Sequence, residues 1–490
     1  MRTVIIYDDT GRKSEVISDI IGDKGFSDVV VKKKRLEEYY RDEVVKEYPN
    51  ATWKKVHSTF EYNELLREME LYHSEDVRIM HCFSNYLISD ASKALLSFKK
   101  LMFIDASYAM LSDKRAVGGM FPSVEVYSTF LRAVLSGQKP WDLIRNLKDS
   151  FEIEGVVDIG VIGNFIKCIT GNFDSRYFNT LKGNTYTLVK SSTNKRKIKA
   201  EYEFYHLLPD DMKFWFVMPF DYKETENEAS YTMERLHMTD LAIKWVHGSM
   251  DEKEFEELMD KYFFFFSSRH EKACAKEEYE RIADTLYIEK INERIQKLKA
   301  CKEYGRMKAL LASTDAELDG LVKTYFELKQ IIEGRNQYPN VLVIGHGDPC
   351  FANTLYNKST KTLKFIDPKG AITEKELWTN PYYDIAKLSH SICGRYDFFN
   401  NGLFEIKVNA EFSYDLEIPF DNSGFIKIFK RKLEENGFDY LTVRIYEASL
   451  FLSMLPLHID NPHKVFGFIL NVKNILEEIK EIMVKLHVSN

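Results

Sequence analysis

The stretch VLVIGHGDPCFANTLYNKSTKTLKFIDPKG, residues 341–370, holds the densest pattern in the chain. Val341 to Ile344 is an apolar run of the length of a buried strand. It delivers His346-Gly347-Asp348, and Asn353 follows five positions after Asp348. A turn over Asn357 to Thr360 leads to a second apolar strand, Leu363 to Ile366, which ends in Asp367. Phosphoryl transfer from a nucleotide needs such a unit. One carboxylate orients the acceptor hydroxyl, and an amide and a second carboxylate hold the metal ions that bridge the phosphates. The Asp-x-x-x-x-Asn spacing is that of a kinase catalytic loop, with the later acid in the metal-binding place.

Working upstream, residues about 165 to 235 read as a small β-rich lobe. NFDSRYFNTLKGNTYTLVKSS gives two strands about a turn, Leu181 to Asn184. Lys190 ends the apolar strand that starts at Tyr186. A lysine pointing inward from such a strand needs partners, because a desolvated cation alone is costly. Kinases supply two, the α/β-phosphates and a helix glutamate. Lys197 to Leu208, KIKAEYEFYHLL, is that helix. Glu201 shares a face with Tyr205 and Leu208, with Glu203 as the alternative. FWFVMPF and Tyr231 to Leu236 read as a second hairpin leading into a hinge. Residues 240 to 335 are helical, with the charged helices Glu278–Lys299 and Arg306–Ile332 separated at Tyr304-Gly305. Downstream, Asp384 is placed to cap a helix from Ile385 to Ile392.

At these residues the chain resembles the aminoglycoside phosphotransferase/choline kinase family, whose signature is His-Gly-Asp, an Asn five residues after the Asp, then Ile-Asp. It resembles more tightly the phosphotransferase-domain proteins of bacterial capsule and surface-polysaccharide gene clusters. Their loop, Lys-Ser-Ser strand and Tyr-Asp-x-Ala-Lys-Leu-x-His-Ser helix read here as HGDPCFAN, FIDPKG, VKSS and YYDIAKLSHS. The resemblance implies a two-lobed α+β protein-kinase-like domain, with ATP or another nucleoside triphosphate as phosphoryl donor and a sugar, polyol or amino alcohol as acceptor. It implies Asp348 as the group that accepts or orients the acceptor proton, and Asn353 and Asp367 as ligands of Mg²⁺ or Mn²⁺. Lys190, steadied by Glu201, would fix the phosphates. Ser175 and Arg176, with Phe178 and Asn179, would cover the phosphates, and backbone groups from Met233 to Arg235 would hold the adenine. His346 and Asp384 are structural supports of the loop. Lys369 departs from the acidic or aromatic residues usual at its place and is expected near the γ-phosphate or an anionic acceptor. Capsule or surface-polysaccharide biosynthesis, and other enzymes of it as partners, are implied by the resemblance alone. The alternatives are a nucleotide-binding pseudokinase or scaffold, and a bifunctional protein with a sugar-phosphate or nucleotide-sugar activity in its first domain.

Residues 1–145 alternate strands and helices, which favours an α/β domain with a mostly parallel sheet. The strands are read at Thr3–Tyr7, Asp28–Val31, Val77–Cys82, Lys100–Ile104 and Val117–Phe121. The layout is similar to the nucleotidyltransferase-like domain found beside such kinases, although no glycine-rich loop is present. Asp8, Asp9 and Asp105 read as solvated strand-end acids. The expected organisation is 1–145, a connecting segment 146–168, a small lobe 169–236 and a large lobe 237–490.

The 490 residues are 44% hydrophobic and 29% charged, the balance of a folded chain of two or three domains. The 68 Lys and Arg against 75 Asp and Glu leave a formal charge of −7, which gives no global case for nucleic acid. The 6 cysteines are scattered without metal spacing and read as reduced thiols of a cytoplasmic protein. No signal peptide or membrane span is expected, and the aromatic run Tyr262–Phe266 reads as the inner face of a buried helix.

Overall fold

Val4, Ile5, Ile6 and Tyr7 are all fully buried, as consecutive strand residues must be when both faces of a sheet are covered. They lie in Arg2–Asp8 (β1), which pairs in parallel with Thr52–Val56 (β2) on one side and Val77–Phe83 (β3) on the other. The computed structural model describes residues 2–31, 33–72, 76–170, 179–184, 186–236, 238–312, 314–336, 338–409 and 413–488. The chain divides into two units, Met1–Phe173 and Asp174–Asn490.

In the first unit, Tyr108–Ser112 (β4), Arg115–Phe121 (β5) and Asp149–Glu152 (β6) complete a six-stranded sheet of order β2-β1-β3-β5-β4-β6. The sheet is mixed. β5 runs antiparallel to both β3 and β4, whereas β6 is parallel to β4. The cause is local: Asp113 and Lys114 both take left-handed φ, 49° and 64°, and close a two-residue hairpin that fixes β4 against β5. Its helices include Glu15–Ile21 (α1), Leu36–Val45 (α2), Glu61–Glu70 (α3), Ala91–Phe98 (α4) and Val124–Leu135 (α5). Residues 146–168 supply β6 and the start of the helix Ile162–Thr170, so the strand order continues past residue 145.

Three local expectations differ from the structure. Lys100–Ile104 is not a strand. α4 runs on into a 3-10 turn, Lys99–Phe103, in which Leu101 alone is buried and Met102 and Phe103 point outward. Thr52–Val56 is a strand although its sequence does not alternate with apolar residues. It is an edge strand, and Lys54 and Lys55 there pair with Glu68 and Glu37. Asp8 and Asp9 are buried rather than solvated. Asp8 accepts from Thr10 N (2.8 Å), from Tyr62 Oη and from His81 Nε2 (2.9 Å), whose Nδ1 meets Tyr127 Oη (2.9 Å). Asp9 accepts from Ser27 N and Oγ (3.1 and 2.6 Å) and from Ser84 Oγ.

The second unit opens with a four-stranded antiparallel sheet. Its strands are Asn179–Gly183 (β7), Thr187–Ser192 (β8), Pro219–Glu224 (β9) and Ala229–Glu234 (β10), in the order β7-β8-β10-β9. Helix Lys195–Leu207 (α6) packs on it through Ile198, against Ala229, Tyr231 and Met233. The rest is mainly helical. Glu252–Ser268 (α7) buries Tyr262, Phe263, Phe265 and Phe266 and leaves Phe264 exposed. Lys276–Asp284 (α8) continues through a π-helical turn, Thr285–Glu289, into Lys290–Lys299 (α9), and Leu318–Arg335 (α10) follows. The break between the charged helices falls before Tyr304, which itself begins a short helix to Leu311. Val341–Ile344 (β11), Thr354–Asn357 (β12) and Thr362–Phe365 (β13) carry the loop quoted above, and Pro381–Ile392 (α11) follows it. Phe365 is fully buried and packs on Phe265 (4.6 Å between ring centres) and Tyr262, which anchors the end of β13. No helix among the described residues is long and apolar enough to cross a membrane.

Candidate active site

Lys190 sits on β8 with its side chain only 3% exposed, and two carboxylates meet it: Glu201 Oε2 at 2.7 Å and Asp367 Oδ1 at 2.8 Å. Burial works against its charge, but Asp367 and Glu201 outweigh burial and hold its pKa above the ordinary lysine value. Glu201, not Glu203, is therefore the helix glutamate that faces Lys190. It also accepts from Tyr231 Oη (3.0 Å), which lies directly opposite Lys190 in the β8–β10 ladder. Strand β8, the helix α6 that follows it and the distant segment after β13 are thus tied together at one ammonium group.

The loop after β11 is fixed from within. Asp348 N donates to His346 Nδ1 (3.0 Å), so the imidazole proton is on Nε2, which donates to the Ile366 carbonyl (2.9 Å). Burial keeps this histidine neutral by lowering its pKa. The ring also stacks on Phe216, with planes 10° apart. His346 thereby locks the Asp348 loop to the residue before Asp367. Asn353 Nδ2 donates to the Asp348 carbonyl (2.9 Å), and Ile366 N donates to the Asn353 carbonyl (3.0 Å). Asp367 is held at φ +56°, an uncommon conformation for a residue with a side chain and one that clusters at functional sites. Gly347 needs its φ of +83°, and a Cβ there would come within 2.5 Å of the Lys369 Cβ.

Asp384 supports the same loop from α11, accepting from His346 N (2.9 Å) and Gly347 N (2.7 Å). It does not cap the helix. Asn380 does, accepting from Tyr382 N, with Pro381 in the first turn, so the helix begins earlier than expected and Asp384 is free to reach the loop. Its counter-ion is Arg269, 3.3 Å away, and both side chains are buried. Arg269 ends the aromatic helix α7, and nothing local in the sequence marks it. One turn after Asp384, Lys387 reaches Asp348 Oδ1 at 3.0 Å. Burial opposes the charge on Lys387, but Asp348 and Tyr383 raise its pKa above the usual value. Lys387 stands in the YYDIAKLSHS stretch, and its spacing from Asp384 was the available signal.

The remaining sequence candidates are placed as follows. Met233 lies in β10 and lines a small cavity, about 20 Å³, with Glu201, Phe204, Phe216 and Asp367. That is room for about one water and too little for a nucleotide. Arg235 N donates to the Tyr186 carbonyl (2.9 Å) and its Nη1 to the Asn184 carbonyl (2.8 Å), so this amide is already engaged. Lys369 is exposed and lines a larger cavity of about 380 Å³ beside Gly347. Ser175, Arg176 and Phe178 lie outside the described residues, and Asn179 is described only as the first residue of β7.

Asp367 and Asn353 form a hard oxygen set of one carboxylate and one amide carbonyl. Such a set suits Mg²⁺, which completes its shell with waters and phosphate oxygens. Among the described residues no group of three or more His, Cys, Asp or Glu side chains is placed to hold a metal by itself. The donor set therefore fits a cation brought in with a nucleotide.

No family model matches the chain, and no curated protein matches it. Among solved structures, the apo form of a thermostable mutant of aminoglycoside phosphotransferase APH(4)-Ia is similar at 11% identity. The match covers 61% of this chain and 94% of that one, with a TM-score of 0.34. The streptomycin–ATP ternary complex of APH(2")-IIa is similar at 15% identity, over 66% of this chain and 96% of that one, with a TM-score of 0.34. The chemistry of the site is carried by its own side chains.

Proposed function

We propose that the second unit is a phosphotransferase. It moves the γ-phosphoryl group of ATP, or of another nucleoside triphosphate, to a hydroxyl of a small molecule. The observation that carries this is the bridge Glu201–Lys190–Asp367, with both contacts under 3 Å, beside a loop that holds Asp348 and Asn353. Lys190 would leave Asp367 to bind the α/β-phosphates while Glu201 and Tyr231 keep it in place. Asn353 and Asp367 would hold the metal, which would neutralise charge on the β- and γ-phosphates. Asp348 would orient the acceptor hydroxyl and take its proton. Lys387 pairs with that carboxylate, and a loose transition state asks for placement more than for a raised pKa. A capsule or surface-polysaccharide setting rests on the motif resemblance.

Calorimetry with Mg-ATP tests the nucleotide half of this. Wild-type protein is expected to bind, and Lys190→Ala and Asp367→Ala each to weaken binding by about tenfold or more, since each loses a charge-assisted contact. Equal affinity in all three would overturn the assignment.

A further inference from the structure

The acceptor side of the site has a charge pattern that the phosphotransfer chemistry does not need. A cavity of about 380 Å³ opens beside Gly347, lined by Arg281, Thr285, Leu286, Lys369 and Trp378 among others. Its size is that of a small-molecule site. Thr285 and Leu286 belong to the π-helical turn between α8 and α9, an irregularity found most often at functional sites. Among the described residues the only carboxylate lining the cavity is Glu376, and its Oε2 already accepts from Ile372 N (2.8 Å). Beyond Lys369 the positive charge continues. Lys290 Nζ donates to Tyr383 Oη at 2.9 Å, and Lys387 stands one turn further along α11. Among the described residues, none of Arg281, Lys290 and Lys369 has a carboxylate at ion-pair distance.

A chain with a formal charge of −7 has carboxylates to spare for these cations. Leaving Arg281 and Lys369 without a carboxylate partner on the lining of one cavity, next to the residue that would receive the acceptor hydroxyl, points to a ligand that brings the negative charge itself. We propose that the acceptor is a hydroxy compound carrying an anionic group, a phosphate monoester or a carboxylate, which Lys369 and Arg281 hold in this cavity while its hydroxyl faces Asp348. This rests on the phosphotransferase reading for the identity of the ligand as acceptor. A cationic amino sugar would instead meet Arg281 and Lys369. Burial alone would raise the Tyr383 phenol. Lys290, Lys387 and Lys369 together bring it down to about 8.

The test is calorimetric titration of the full chain, without nucleotide, with four ligands on one ring: glucose 6-phosphate, glucuronate, glucose and glucosamine. Working without nucleotide separates the outcome from that of the Mg-ATP titration. At least one of the two anions is expected to bind about tenfold or more tighter than glucose and glucosamine, and which one does distinguishes phosphate from carboxylate recognition. The preference is expected to weaken as salt is raised. It is also expected to fall to about twofold or less in the double variant Lys369→Met, Arg281→Met, both at exposed positions. Three results would each overturn the proposal: neutral or cationic sugar binding as tightly as both anions, no binding of either anion, or a preference that survives the double variant.

Discussion

His346 accepts on one nitrogen and donates on the other, so its role is mechanical, holding Asp348 and Asp367 in register through a neutral ring. Both carboxylates meet a lysine, Asp348 through Lys387 and Asp367 through Lys190. The acids and their order were legible because the backbone needs fixed spacings around them. Tyr231 and Arg269 were not. Tyr231 meets Glu201 because of a strand register, and Arg269 meets Asp384 across 115 residues. Tyr383 offers a test at this scale. Its pKa of about 8 lies below the ordinary phenol value of about 10, so in the folded chain the phenol is expected to ionise first. The sign for stability follows. The contribution is fully present above about pH 10 and is lost as pH falls through about 8. A phenolate absorbance step near pH 8, lost in Tyr383→Phe, is the expected signature. A titration without any step below pH 9.5 or so would remove the cation wall from the account.

At the scale of elements, α11 is the support of the loop. Asn380 and Pro381 start the helix, Asp384 receives two loop amides, Lys387 meets Asp348, and Ser391 Oγ accepts from Phe351 N (3.1 Å). One face of one helix thus touches the loop along its length. The sequence marked the helix but misplaced its cap, because Asp384 and Asn380 are both good capping residues and only the backbone decides between them. Arg269→Ala tests the support. It leaves Asp384 buried without its counter-ion, a change that costs about 3–5 kcal/mol in comparable buried pairs. Urea unfolding is expected to show a loss of that order. A loss below about 1 kcal/mol would mean that the two backbone amides alone satisfy Asp384.

At the scale of the whole molecule, the two units differ in how much of them the sequence declared. The phosphotransfer candidates all fall in the second unit, where fixed spacings carry the chemistry. The first unit showed only alternation of strands and helices, and its mixed sheet turns on a two-residue hairpin at Asp113 and Lys114. Its strand-end acids are spent inside the fold. Burial works against the charge on Asp8, but His81, Tyr62 and Thr10 hold its carboxyl below the usual range. That lowered value means Asp8 stabilises the unit above about pH 4, and the contribution is lost as pH falls through the folded value. Asp8→Asn replaces an acceptor surrounded by donors with an amide that cannot accept on both sides. It is expected to cost about 1–3 kcal/mol, seen as faster hydrogen exchange in peptides from residues 2–170 of the full chain, with Mg-ATP affinity unchanged. Unaltered exchange in β1 and β3 would show that the network is dispensable.

The central claim is that Asp348 receives the acceptor proton while other residues hold the nucleotide. Single-turnover loss of γ-phosphate from Mg-ATP, compared between wild-type protein and Asp348→Asn, tests it most directly. Asp348→Asn is expected to bind Mg-ATP as the wild type does and to transfer the phosphoryl group about 10²–10⁴-fold more slowly. Transfer at the wild-type rate in that variant would contradict it.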